Sequence, residues 1–211
     1  MHNIQVISSF SIFLPLILAA IKLKTGDLKL RLFFVFLFIG ALVDFIGWIN
    51  FRTTIEIGIL KSVILAYSII EAMFFTWTAT VFIVQPGKKR IRILLGCLIC
   101  FLFAIRFIFI YQFNPNLFLS PIVESLYLVS TAFLTGFSLL KMAENVNDIL
   151  KYSWFWILSG IFFYSFGSFF VDAFKGTEVI SEIWIIRNII NIIQYIFFVI
   201  GLMMIQNKRI I

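Results

Sequence analysis

Seven runs of roughly 20 apolar residues follow one another along this chain, with only short polar gaps between them. They lie at about 4–21, 32–51, 59–84, 93–111, 119–141, 153–174 and 185–205. A helix crossing a bilayer needs about 20 apolar residues, and in lipid its backbone groups must pair within the helix. The expected fold is therefore an all-α membrane protein, one domain of seven transmembrane helices over residues 1–211. The gaps leave no room for an extramembrane domain. Composition agrees, with 62% of residues hydrophobic and 13% charged. Soluble domains run nearer 45–50% apolar with about a quarter charged.

The net charge of +7 could suggest nucleic acid, but the placement of the cations argues for topology. KLKTGDLKLR holds Lys22, Lys24, Lys29 and Arg31, and GKKRIR holds Lys88, Lys89, Arg90 and Arg92. Lys141, Lys151, Lys208 and Arg209 bring one side to twelve, against Arg52, Lys61 and Lys175 on the other. By the positive-inside rule the N-terminus is outside and the C-terminus cytoplasmic. No direct DNA binding is expected; membrane lipids are the first partners. The first run is read as a retained span rather than a signal peptide, because its positive charges follow the apolar stretch.

Cys97 and Cys100 form a CxxC inside an apolar run, and the chain's one histidine is His2. No second pair completes a zinc site, so the cysteines are read as small packing residues and no metal is expected. No attachment motif for a covalent cofactor is present.

Apart from Lys61 and Lys141 at run ends, six charges fall inside the runs: Asp44, Glu71, Arg106, Glu124, Asp172 and Arg187. Glu71 is the deepest, about 18 Å along its helix from either boundary at 1.5 Å per residue. Each charge at the bilayer centre costs about 2.5–3.5 kcal/mol, so such groups face one another or water. Arg106 is the expected counter-charge to the deep acids, with Arg187 as a second. Asp172 and Arg187 lie nearer the helix ends, where they can reach the surface. Acids outnumber deep cations, and an acid without a fixed partner is a proton or ion ligand by default. Glu71, Asp44 and Glu124 are the candidates.

Periodicity selects the inward faces. Ser120, Glu124, Tyr127, Thr131, Thr135 and Ser138 form one stripe along the fifth run, at steps of three and four. Arg187, Asn191 and Gln194 share a face of the seventh, with Asn188 and Tyr195 beside it. Tyr67 and Glu71 mark the third run, and Tyr164, Ser168 and Asp172 the sixth. These faces, with Asp172 and Arg187, are expected to line a polar cavity in the outer half of the bundle. The competing reading makes such stripes interhelical hydrogen-bond glue, worth about 0.6 kcal/mol per bond.

Runs one to three and five to seven share orientation and several markers: Pro15 and Pro121, Asp44 and Asp172, Lys61 and Arg187. This three-plus-one-plus-three arrangement resembles the sugar-efflux and PQ-loop transporter architecture, though the Pro-Gln dipeptide of that family is absent. In length, topology, composition and basic cytoplasmic face the chain also resembles the small membrane accessory proteins encoded beside type VI-B RNA-guided ribonucleases. That resemblance implies a bacterial inner-membrane protein that modulates an antiviral nuclease. Its two basic loops would then meet RNA, a cytoplasmic protein or a ribonucleoprotein, where anionic headgroups are the alternative.

Other classes are excluded. The last run holds no lysine for retinal, and one histidine cannot build the zinc cluster of seven-span hydrolases. There is no GxSxG, HExxH or phosphate-cradling glycine loop. Two-carboxylate lipid hydrolysis through Asp44, Glu71 or Glu124 stays open as a minor alternative. The main expectation is a non-enzymatic transporter, ion pathway or membrane sensor. Phenylalanine-rich outer faces leave a homo-oligomer open.

Overall fold

The computed structural model describes residues 2–25, 27–52, 57–83, 119–173 and 180–205, with Arg90 and seven further positions between 93 and 105. Among the described residues the regular elements are all helical. They are α1 (His2–Ser11), α2 (Phe13–Lys22), α3 (Leu28–Arg52), α4 (Ile57–Ile83), α5 (Leu119–Asn145), α6 (Ser153–Ala173) and α7 (Ile180–Met203). Six stretches are long and apolar enough to cross a membrane: Ile4–Lys22, Leu28–Ile49, Ser62–Phe82, Glu124–Asn145, Ser153–Ala173 and Ile183–Met203. The expected span at 93–111 falls mostly outside the described residues.

The boundaries have local causes. α1 and α2 together make the first span, interrupted at Ile12. Pro15 lies three residues on; it has no N–H to donate to Ser11, and its ring crowds that carbonyl. Ile12 keeps right-handed helical angles, and its carbonyl accepts from Leu16 N–H at 3.1 Å, so the helix resumes at once. α3 starts where Asp27 caps it, its Oδ1 accepting from Lys29 N–H at 3.0 Å.

The helices close into a ring, in which α1 and α2 pack against both α3 and α7 and each later neighbour packs on the next. Directions follow from cross-helix contacts. Lys22 Nζ donates to the Ile205 carbonyl at 2.6 Å and Asn191 Nδ2 to Ser8 Oγ at 3.3 Å, so α7 runs parallel to α1 and α2. Ser138 Oγ donates to the Ala79 carbonyl at 2.8 Å. Both residues lie near the C-terminal ends of their helices, so α4 and α5 also run parallel.

Lys22, Lys29 and Lys151 gather at one end of the ring, hereafter the basic end. Lys29 sits over the Phe82 ring at 4.8 Å and near Trp154 at 5.9 Å, joining α3, α4 and α6 there. An aromatic block fills the adjoining interior. Phe36 stacks on Phe74 at 4.4 Å, and Phe33 meets Phe198 edge-on at 5.0 Å. Such pairs add about 0.5–1.5 kcal/mol beyond area burial. Glycines bring α6 and α7 together, since a Cβ on Gly201 would stand 2.8 Å from the Ser153 carbonyl oxygen. The outer faces show Phe133, Phe137, Leu140, Leu14 and Ile17, a surface suited to lipid.

Candidate functional site

A cavity of about 190 Å³ opens in the half of the ring away from the basic end. Its walls are Phe36 and Asp44 from α3, Tyr67 and Glu71 from α4, and Tyr164 from α6. α7 supplies Trp184, Arg187, Asn188, Asn191, Gln194 and Tyr195. Helical spacing explains the set: Tyr67 and Glu71 are four apart, while positions 184, 187, 188, 191 and 195 recur at three and four. The aromatic block lies between this cavity and the basic end, with Phe36 belonging to both.

The charges are ordered around Arg187. Its Nη1 stands 3.8 Å from Oδ1 of Asp172, whose side chain is 1% exposed, against 27% for the arginine. The guanidinium lies over the Trp184 ring at 5.4 Å. Tyr164 connects the pair to Glu71, its side chain hydrogen-bonding both Arg187 and the Glu71 carboxylate. Arginine can only donate and a carboxylate only accept, so the phenol accepts from Arg187 and donates to Glu71. Asp44 enters from α3, within electrostatic reach of Tyr67 and Tyr195.

Thus Asp44, Tyr67, Glu71, Arg187, Asn191 and Gln194 meet at one cavity. Asp172 stands behind it as the partner of Arg187 rather than in the lining. Glu124 is half-buried on α5, within electrostatic reach of Glu71 and Arg187, and is not a wall residue.

Tyr127 and Thr131 are buried and are not wall residues, although Tyr127 lies within electrostatic reach of Glu71 and Tyr164. Their stripe turns to its own backbone and to α4. Thr135 Oγ1 donates to the Thr131 carbonyl at 2.7 Å, and Ser138 Oγ to Leu134 and Ala79, both at 2.8 Å. Of these bonds only Ser138 to Ala79 joins two helices, as the glue reading expects; the others close on the preceding turn of α5 itself.

Arg106, the expected deep counter-charge, is outside the described residues, as are Lys88, Lys89, Arg92 and Cys100. Cys97 is an exposed free thiol. Of the other basic candidates Lys24, Arg31 and Arg90 are exposed, whereas Lys22 and Lys29 make the internal contacts above. Among the described residues no group of three His, Cys, Asp or Glu is placed to hold a metal.

The sequence stripes had not singled out Phe36 and Trp184 as wall residues. Phe36 is one of 28 phenylalanines and carries no signal of its own. Trp184 was traceable, one turn before Arg187 on the polar face of α7.

Compared with known protein families, curated proteins and solved structures, the chain matches none of them.

Proposed function

We propose that this chain is a seven-span membrane protein whose cavity binds a proton or cation in the course of transport, ion passage or sensing. Support for the seventh span comes from the parallel packing of α4 and α5, set by Ser138 and Ala79. Two helices that follow one another and point the same way need an odd number of crossings between them. The 35 residues from 84 to 118 hold room for one, and 93–111 is the apolar stretch available. With the basic loops in the cytoplasm, the N-terminus is outside and the cavity opens toward the outer face.

The observation that carries the reading is charge balance at the cavity. Among the described residues two carboxylates from different helices, Asp44 and Glu71, line it beside one guanidinium. That guanidinium already faces Asp172. Keeping Glu71 near the bilayer centre costs about 2.5–3.5 kcal/mol, and Asp44 brings a second acid to the same cavity, more than a lock on one arginine requires.

The test is proton and cation flux in proteoliposomes, wild type beside Glu71→Gln. Glutamine keeps the volume and still accepts from Tyr164, so ionisation is what changes. Flux in the wild type, reduced at least tenfold in a variant that elutes as a folded protein, is the expected result. Equal flux, or none from either folded protein, would make Glu71 a helix lock and end the proposal.

A further inference from the structure

We infer that the cation held in this cavity is a small organic ammonium ion, seated between Asp44 and aromatic rings, and not a bare metal ion. The inference rests on the reading of the cavity as a cation site. It follows from the way charge, lining and size combine there.

Charge comes first. Arg187 is committed on three sides: Asp172 at 3.8 Å, the Trp184 ring at 5.4 Å, and the Tyr164 hydroxyl. Its charge is offset by a carboxylate behind the wall, so among the described wall residues the surplus of ionisable groups is acidic and belongs to Asp44 and Glu71. The surplus is also lopsided. Glu71 is tied through Tyr164 to the arginine, whereas Asp44 stands on α3 within electrostatic reach of Tyr67, Tyr195 and Glu71 itself. A ligand's positive charge is repelled from the Arg187 flank and attracted to the Asp44 flank. A ligand carboxylate would find the guanidinium already occupied, which disfavours a zwitterion.

The lining then discriminates among cations. Among the described wall residues five are aromatic. Phe36 is stacked on Phe74 and Tyr67, and the Trp184 ring already carries Arg187. That leaves Tyr67, Tyr164 and Tyr195 to offer rings to a ligand. Ring faces attract ammonium groups, and quaternary ammonium recognition by aromatic cages is the established use of this interaction. Hard metal ions instead take six or more oxygen ligands to replace their water. Among the described residues no three-carboxylate or His/Cys cluster is placed to do so. Size narrows the class further. About 190 Å³ is several times the roughly 30 Å³ that one water occupies in the liquid. It is well below the 300–1,000 Å³ or so of drug-sized sites. A methylated ammonium with a few further heavy atoms fits those bounds.

The experiment uses the full-length protein in detergent, with tetramethylammonium and choline as probes against Na⁺ and Mg²⁺ at matched ionic strength. Calorimetric titration and the thermal unfolding midpoint are read together. The expected result is a saturable rise in the midpoint with either ammonium and none with the metal ions. Asp44→Asn should weaken ammonium binding at least tenfold, while Asp44→Glu, which keeps the charge, stays within a few-fold of wild type. Should Asp44→Asn fail to fold, Tyr195→Leu is expected to weaken binding and leave Asp44 in place. Metal ions acting as well as the ammonium probes would overturn the inference. So would absence of ammonium binding while Glu71-dependent proton flux persists; the cavity would then remain a cation site with the wrong ligand class assigned. Loss of both flux and binding in folded protein would remove the two proposals together.

Discussion

Asp172 shows most directly how one residue's role depends on its neighbour. Its side chain is 1% exposed, and Arg187 Nη1 stands 3.8 Å away. From the sequence both looked interfacial, two charges free to reach water. The tertiary structure instead sets them across α6 and α7, in a place where each limits what the other can do. Removing one partner of a buried pair leaves an uncompensated charge, typically at a cost of about 3–5 kcal/mol. Asp172→Asn is therefore expected to destabilise the protein by about 3 kcal/mol, toward the lower end because Arg187 keeps some exposure. Arg187→Gln should cost a similar amount, and the double variant clearly less than the sum of the two. Denaturant unfolding in mixed micelles reads all three; strict additivity would mean the two groups do not interact. Glu71 differs in kind. Its depth could be counted from the sequence, but its bond to Tyr164 could not.

Helix pairs are held by different devices, and the α6–α7 contact depends on glycine. A Cβ on Gly201 would meet Ile157 Cγ1 and the Ser153 carbonyl oxygen, each at 2.8 Å, while one on Gly47 would meet nothing within 4 Å. Backbone oxygen cannot swing aside as a side-chain tip can. Gly201→Ala is expected to destabilise by about 1–3 kcal/mol, as overpacking does. Gly47→Ala should be neutral or stabilising by up to about 1 kcal/mol, from helix propensity. If the two variants unfold alike, the close approach of α6 and α7 is wrong. Element boundaries were the most legible part of this chain. The described spans match the runs read from hydropathy to within a few residues, because length and apolarity alone decide what crosses a bilayer. The polar stripe of α5 was legible as a stripe but not in its purpose. Spacing shows that Tyr127 and Thr131 share a face; it cannot show that neither becomes a wall residue of the cavity.

At the scale of the whole molecule, the closed ring leaves a cavity at one end and an aromatic block toward the other. If the chain crosses seven times, its termini lie in opposite compartments. Fusions at each end check this: a C-terminal fluorescent protein that matures in the cytoplasm should glow, and an N-terminal tag should be open to protease in intact cells. Termini on the same side would show an even number of spans and refute the seven-span arrangement. Membrane embedding and the positions of the spans were determined by the sequence alone, since both depend on local sums of transfer free energy. The presence of costly charges was determined in the same way. What the tertiary structure decided was partnership. Which acid meets the arginine, which stripe stays out of the cavity wall, and which aromatic rings share that wall with Asp44 all depend on how helices rotate and dock. Those rotations are fixed by contacts between residues far apart in the chain, such as Ser8 with Asn191 and Ala79 with Ser138. A one-dimensional pattern records each face but not what that face meets.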